Sequence, residues 1–162
     1  MIQVYHGSIE EEQNPEIRKP NRMLDYGAGF YTTTSFEQAQ KLVERRMRTN
    51  GVSEGFVNVY ELDNDVIKHL KTLFFDSPTE EWVNFVMHNR TERDFTHDFD
   101  IVYGPVADDS VYTQFTLYEG GIISLPTLIR ELRTYKLVDQ YLFHTRESLH
   151  AIKFVESRII TL

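Results

Sequence analysis

The chain has 162 residues and no cysteine. That absence excludes a disulfide framework and a zinc–thiolate site, and it fits a reducing compartment. Eight glycines and five prolines are its only strong punctuation. There is no repeat, no low-complexity tract and no linker, so a single domain over residues 1–162 is expected. Basic residues are in the minority, 17 Lys and Arg against 25 Asp and Glu, for a net charge of −8. This argues against nucleic acid or an anionic membrane surface as the main partner. No apolar run reaches the roughly 18 residues of a membrane-spanning helix. The opening Met1-Ile2-Gln3-Val4-Tyr5-His6 lacks the basic and then apolar pattern of a signal peptide. A cytoplasmic protein with no membrane segment is the expectation.

What is present is a good supply of core material, 41% apolar and 13% aromatic residues. Ile2 to Tyr5 reads as a first strand that stops at His6-Gly7-Ser8, and Glu10 to Arg22, with Pro15 and Pro20, reads as a loop. Gly27 and Gly29 lead into the extended run Phe30-Tyr31-Thr32-Thr33-Thr34. Ser35 with Gln38 three residues on is a capping box for a helix carrying Phe36, Ala39, Val43 and Met47 on one face. Asn50-Gly51 ends that helix. Phe56 to Leu62 alternates as a strand, Val66 to Phe75 is ambiguous, and Ser77-Pro78-Thr79-Glu80 signals a second helix start. Phe99 to Val106 contains a strand expected to break at Gly104-Pro105. Helices follow from Asp108 to Tyr118 and after Ser124, then strands over Leu137 to Phe143 and Lys153 to Leu162, with a helical turn from Arg146 between them. Strands mixed irregularly with helices indicate the α+β class.

Three short pieces gain meaning from their order: His6-Gly7-Ser8 at a strand end, Gly27-x-Gly29-Phe30-Tyr31 before a helix, and Gln140-Tyr141-Leu142-Phe143 in a late strand. They resemble the core motifs of ADP-ribosyltransferases of the diphtheria-toxin and poly(ADP-ribose) polymerase type. The chain is also similar to a poorly characterised bacterial group of such domains, through His-Gly-Ser, Tyr-Gly-x-Gly-Phe-Tyr, Gly-Pro-Val-Ala-Asp and Gln-Tyr-x-Phe-His in this order. The resemblance spans Tyr5 to Phe154. It implies a split, two-sheet α+β fold with flanking helices, with NAD as substrate in the cleft between the sheets. The implied activity is mono-ADP-ribosyl transfer to an unknown acceptor or hydrolysis of NAD, and a toxin-like role is compatible with it.

On that resemblance the catalytic residues are His6, Tyr31 and Gln140, with His6, Gly7, Ser8, Gly29 and Tyr31 contacting NAD. An aromatic face such as Tyr31 suits a nicotinamide ring, and the Gly7 backbone suits its carboxamide. An imidazole such as His6 can donate to a ribose hydroxyl while its other nitrogen is held by the protein. The family places a glutamate where this chain has Gln140, whose amide carries no charge for an oxocarbenium-like cation. Asp139, Glu119 and Glu147 are other carboxylates, but Asp139 points to the opposite face of the strand from Gln140. An inactive NAD-sensing or protein-interaction module therefore stands as the alternative function. No metal is expected: His97, Asp98, Asp100, Asp108 and Asp109 offer donors, but the last two also suit a helix N-terminus. The cationic face of Lys41, Arg45, Arg46 and Arg48 reads most simply as solvated.

Overall fold

The structure, a computed structural model, describes residues 2–17, 28–91, 97–106, 109–134 and 138–162. Tyr26, Gly27, Asp108 and Leu137 lie outside the described residues. Seven strands form one mixed sheet: β1 (Ile2–Ser8), β2 (Phe30–Thr33), β3 (Glu54–Leu62), β4 (Thr72–Phe74), β5 (Ile101–Val106), β6 (Val138–Phe143) and β7 (Ile152–Thr161). Their spatial order is β4-β5-β6-β2-β1-β3-β7, and only β4 and β5 run parallel. Five helices accompany them: α1 (Phe36–Asn50), α2 (Asn64–Ile67), α3 (Glu80–Thr91), α4 (Asp109–Glu119) and α5 (Leu125–Leu132). The α+β class holds, but the expected pair of separate sheets is one sheet with a weak seam. β1 and β2 share a single registered pair, Tyr5 with Thr33, whereas β1 is registered with β3 from Ile2 through Ser8.

The local signals explain most of these elements. Ser35 Oγ accepts from the Gln38 N–H, and Gly51, at φ 64°, ends α1 in the left-handed conformation that glycine alone adopts without strain. Ala39, Val43 and Met47 are fully buried under that helix. Ser124 Oγ accepts from the Thr127 N–H to start α5, whose Leu128 and Leu132 are buried.

Three boundaries differ from the expectation. β1 continues through His6, Gly7 and Ser8 instead of stopping before them, because β3 supplies a partner for each. The second helix starts two residues late, with Thr79 Oγ1 in place of Ser77 accepting from the Trp82 N–H. β5 runs through Gly104-Pro105, since β4 has already ended at the partner of Tyr103 and proline removes no bond on that side. Gly29 has no positive φ; its missing Cβ instead leaves room for the His144 ring and the Phe143 carbonyl, each 2.9 Å from where that atom would sit.

The two faces of the sheet carry different cores. On one, α1 packs through Ala39, Val43 and Met47 against Tyr5 and Val57, and Trp82, Val86, Phe115, Leu128 and Leu132 pack against Tyr31, Val102 and Leu142. On the other, Val4, Phe30, Tyr60, Tyr141 and Phe143 form a cluster with Ile67 of α2 and Ala151 of a 3-10 turn, Ser148–Ala151. Gly7 belongs to the first face, where a Cβ would lie 2.6 Å from the Ala39 carbonyl oxygen and 2.7 Å from Val43 Cγ2. Gly7→Ala is therefore expected to push α1 off β1 and cost about 2 kcal/mol, read as a lower denaturant midpoint at unchanged slope.

Candidate functional site

The seam between β1 and β2 is held by one side chain. His6 Nδ1 donates to the Tyr31 carbonyl oxygen at 2.6 Å, a side-chain bond across two strands that share one registered pair. The same ring stacks on Phe30, with centroids 4.1 Å apart and planes at 29°. Its other nitrogen, Nε2, lies 2.7 Å from Glu12 Oε2, and both side chains are nearly closed off from solvent, 13% and 8% exposed. Nδ1 carries hydrogen, since a carbonyl oxygen can only accept.

Glu12 stands in the segment read from sequence only as a polar loop, and its anchors are what that reading missed. The fully buried Asn58 side chain uses every hydrogen-bonding position it has: Nδ2 donates to the His6 and Glu10 carbonyls at 3.4 and 3.2 Å, and Oδ1 accepts from the Glu12 N–H and the Ser157 hydroxyl at 3.1 and 2.6 Å. Tyr60 OH donates to the Glu12 carbonyl at 2.6 Å. Burial, and next the Glu12 carboxylate, pushes that phenol well above the usual tyrosine range, so it stays a donor. A buried Asn in an alternating strand was the one available signal, because an amide with no water must find protein partners.

The other expected residues are divided between the two faces. The Tyr31 ring lies half-buried against the cluster around Trp82, on the opposite face from the His6 ring, and only its backbone carbonyl meets His6. Gln140 is buried and registered opposite Thr33 and Gly104, so by strand alternation it shares the Tyr31 face. Asp139 therefore shares the face of His6, along with Tyr141 and Tyr103. Tyr103 donates to Asp139, and burial together with that carboxylate holds the phenol high. Ser8 is buried, and its Oγ accepts from the Glu10 N–H at 3.1 Å, tying down the turn that follows. Glu119 and Glu147 are exposed.

Two of the aspartates weighed as metal donors, Asp98 and Asp100, have other partners. Asp98 pairs with Lys71, which lowers its carboxyl below the usual range, and Asp100 accepts from the Thr145 hydroxyl and the Lys71 N–H. His97 and His144 stack edge to face, 4.4 Å between centroids. A groove of about 380 Å³ lined by Glu80, Leu125, Pro126, Ile129, Arg130 and Arg133 lies in the helical layer, across the sheet from the His6 ring. Among the described residues no helix is long and apolar enough to cross a membrane.

Fold and site together define a single-sheet α+β protein with a buried His–Glu pair at the seam of its sheet. The chain matches a family model over residues 2–154 and belongs to that family, described as a protein of unknown function (DUF3990). No curated protein and no solved structure shows a significant match to it.

Two outcomes follow from this geometry. Asn58→Ala removes the amide from four buried partners and is expected to cost about 3 kcal/mol in a denaturant titration. His144 donates from Nδ1 to the Ala28 carbonyl at 2.7 Å, and burial lowers its pKa from 6.5 to about 4, with His97 adding to the effect. The unfolded chain therefore takes up a proton that the folded chain refuses between those values. Stability attributable to this group is complete above about pH 6.5 and falls as pH drops toward 4, by at most about 3 kcal/mol. His144→Asn is expected to flatten that part of the stability–pH curve.

Proposed function

We propose that this protein binds NAD at the β1–β2 seam and cleaves the bond between nicotinamide and ribose, passing ADP-ribose to an acceptor or to water. The observation that carries the reading is the His6 ring, held through Nδ1 by the Tyr31 carbonyl and turned with Nε2 toward a buried carboxylate. Nδ1 is fixed on the protein, and Nε2 would meet a hydroxyl of NAD where that hydroxyl replaces the Glu12 contact. Support also comes from the ordered motifs at His6-Gly7-Ser8, Gly29-Phe30-Tyr31 and Gln140-Tyr141. Tyr5–Thr33 is the registered pair between β1 and β2, and a flat ring bound at this seam would have the Gly7 backbone beside it and the His6 and Tyr31 rings on opposite sides of the sheet.

An inactive NAD-sensing or interaction module is the second reading, favoured by one placement: Gln140 carries no charge and shares the Tyr31 face, not the His6 face. Titration calorimetry with NAD, combined with a nicotinamide-release assay, separates the two. Binding with release is the expected result, and His6→Ala is expected to slow release about 100-fold. Binding without release selects the module, and no binding sinks both.

A further inference from the structure

We propose that the aromatic row of Phe74, Tyr103 and Tyr141, flanked by Asp76 and Asp139, is a docking site for an arginine side chain carried by a partner protein. It stands apart from the NAD reading and does not depend on it. The row is a product of strand register. Phe74 of β4 is paired with Tyr103 of β5, and Tyr103 with Tyr141 of β6, so the three rings stand on one face of three adjacent strands. Neighbouring centroids are 5.9 and 4.7 Å apart, with the planes tilted by 49° and 55°. Exposure rises along the row, from Tyr141 at 8% through the half-buried Tyr103 to Phe74 at 55%. Among the described residues Phe74 is the aromatic ring left most open to solvent, and it lies at the edge of the sheet.

Charge decides which ligand fits. Burial, then the Asp139 carboxylate that accepts from it and more weakly Asp76, holds the Tyr103 phenol above the usual tyrosine range, so both carboxylates act on that ring. Among the described residues neither aspartate meets a lysine or an arginine. An aromatic surface thus stands beside negative charge that no neighbouring cation offsets, on a chain whose net charge is −8. A cation over a ring face is drawn by the ring's quadrupole, and the carboxylates add to the attraction. Guanidinium fits this pairing best, because its plane lies flat on a ring such as Phe74 while its edge N–H groups reach a carboxylate. An ammonium is a compact charge that keeps its water, and a neutral ring gains nothing from the aspartates. Phosphate-bearing ligands are repelled by the same two charges.

The test titrates the full chain with the end-blocked peptide Gly-Arg-Gly-Arg-Gly and its lysine and citrulline analogues, read by amide NMR shifts, with sedimentation of the protein alone. The arginine peptide is expected to bind with a Kd of about 1 mM or tighter. The lysine peptide is expected to bind about fivefold more weakly, and the citrulline peptide, which keeps the shape without the charge, at least about tenfold more weakly. Phe74→Ala and Asp139→Asn are each expected to weaken the arginine peptide about tenfold, while Ile159→Ala, exposed on β7, leaves it unchanged. Asparagine at 139 still accepts from Tyr103, and if that variant does not fold, the exposed Phe74→Ala decides alone. No shifts at about 10 mM arginine peptide overturn the proposal, as does an unchanged affinity in Phe74→Ala. Equal affinity for the citrulline or the lysine peptide overturns the assignment to guanidinium. A wild-type dimer that Phe74→Ala dissociates overturns it in favour of a second copy of the chain.

Discussion

One imidazole bridges the seam at the centre of the sheet. The sheet is continuous from β4 to β7, yet its two halves meet through a single registered pair, and His6 makes up the deficit by bonding the Tyr31 carbonyl across the gap. The ring spans β1 and β2, stacks on Phe30 and lies against Glu12, so one side chain joins the two strands and the segment that follows β1.

The polar cluster beside the seam is costly to bury and fully used. Asn58 is inaccessible to solvent and binds four partners, two of them backbone groups of the segment that carries Glu12. A buried amide of this kind is worth far more satisfied than half-satisfied, so the segment is tied to the sheet even though it has no regular structure. Tyr60 adds a second tie from the same strand. The result is a carboxylate positioned with the precision of a strand residue although it belongs to a loop.

Strand parity decides which residues can act together. His6, Phe30, Tyr60, Asp139 and Tyr141 share one face; Gly7, Tyr31, Gln140 and Leu142 share the other, under the helices. A motif read as a line of letters does not carry this division, because neighbouring letters in a strand belong to opposite sides.

Much of the fold was legible in the residues themselves, because its signals are local. The Ser35 cap, the Gly51 terminus, the Ser124 cap and the apolar stripe Ala39-Val43-Met47 act within one or two turns of chain, and each is where the sequence put it. So was the place of His6 in the first strand, since a β-prone run leading to glycine is a local pattern. The sequence did not reveal Glu12 or Asn58, which lie 46 residues apart and meet only when β3 pairs with β1 and the intervening loop folds back over them. Nor did it reveal that Gly104-Pro105 is tolerated inside a strand, which depends on β4 ending beside Tyr103. By itself the sequence determined most of the elements, the Ser35 and Ser124 caps and the α+β class, since those follow from short-range hydrogen bonds and periodicity. Only the tertiary structure decided that one sheet forms with a seam held by His6, and which carboxylate stands beside it, since both depend on register between strands far apart in the chain.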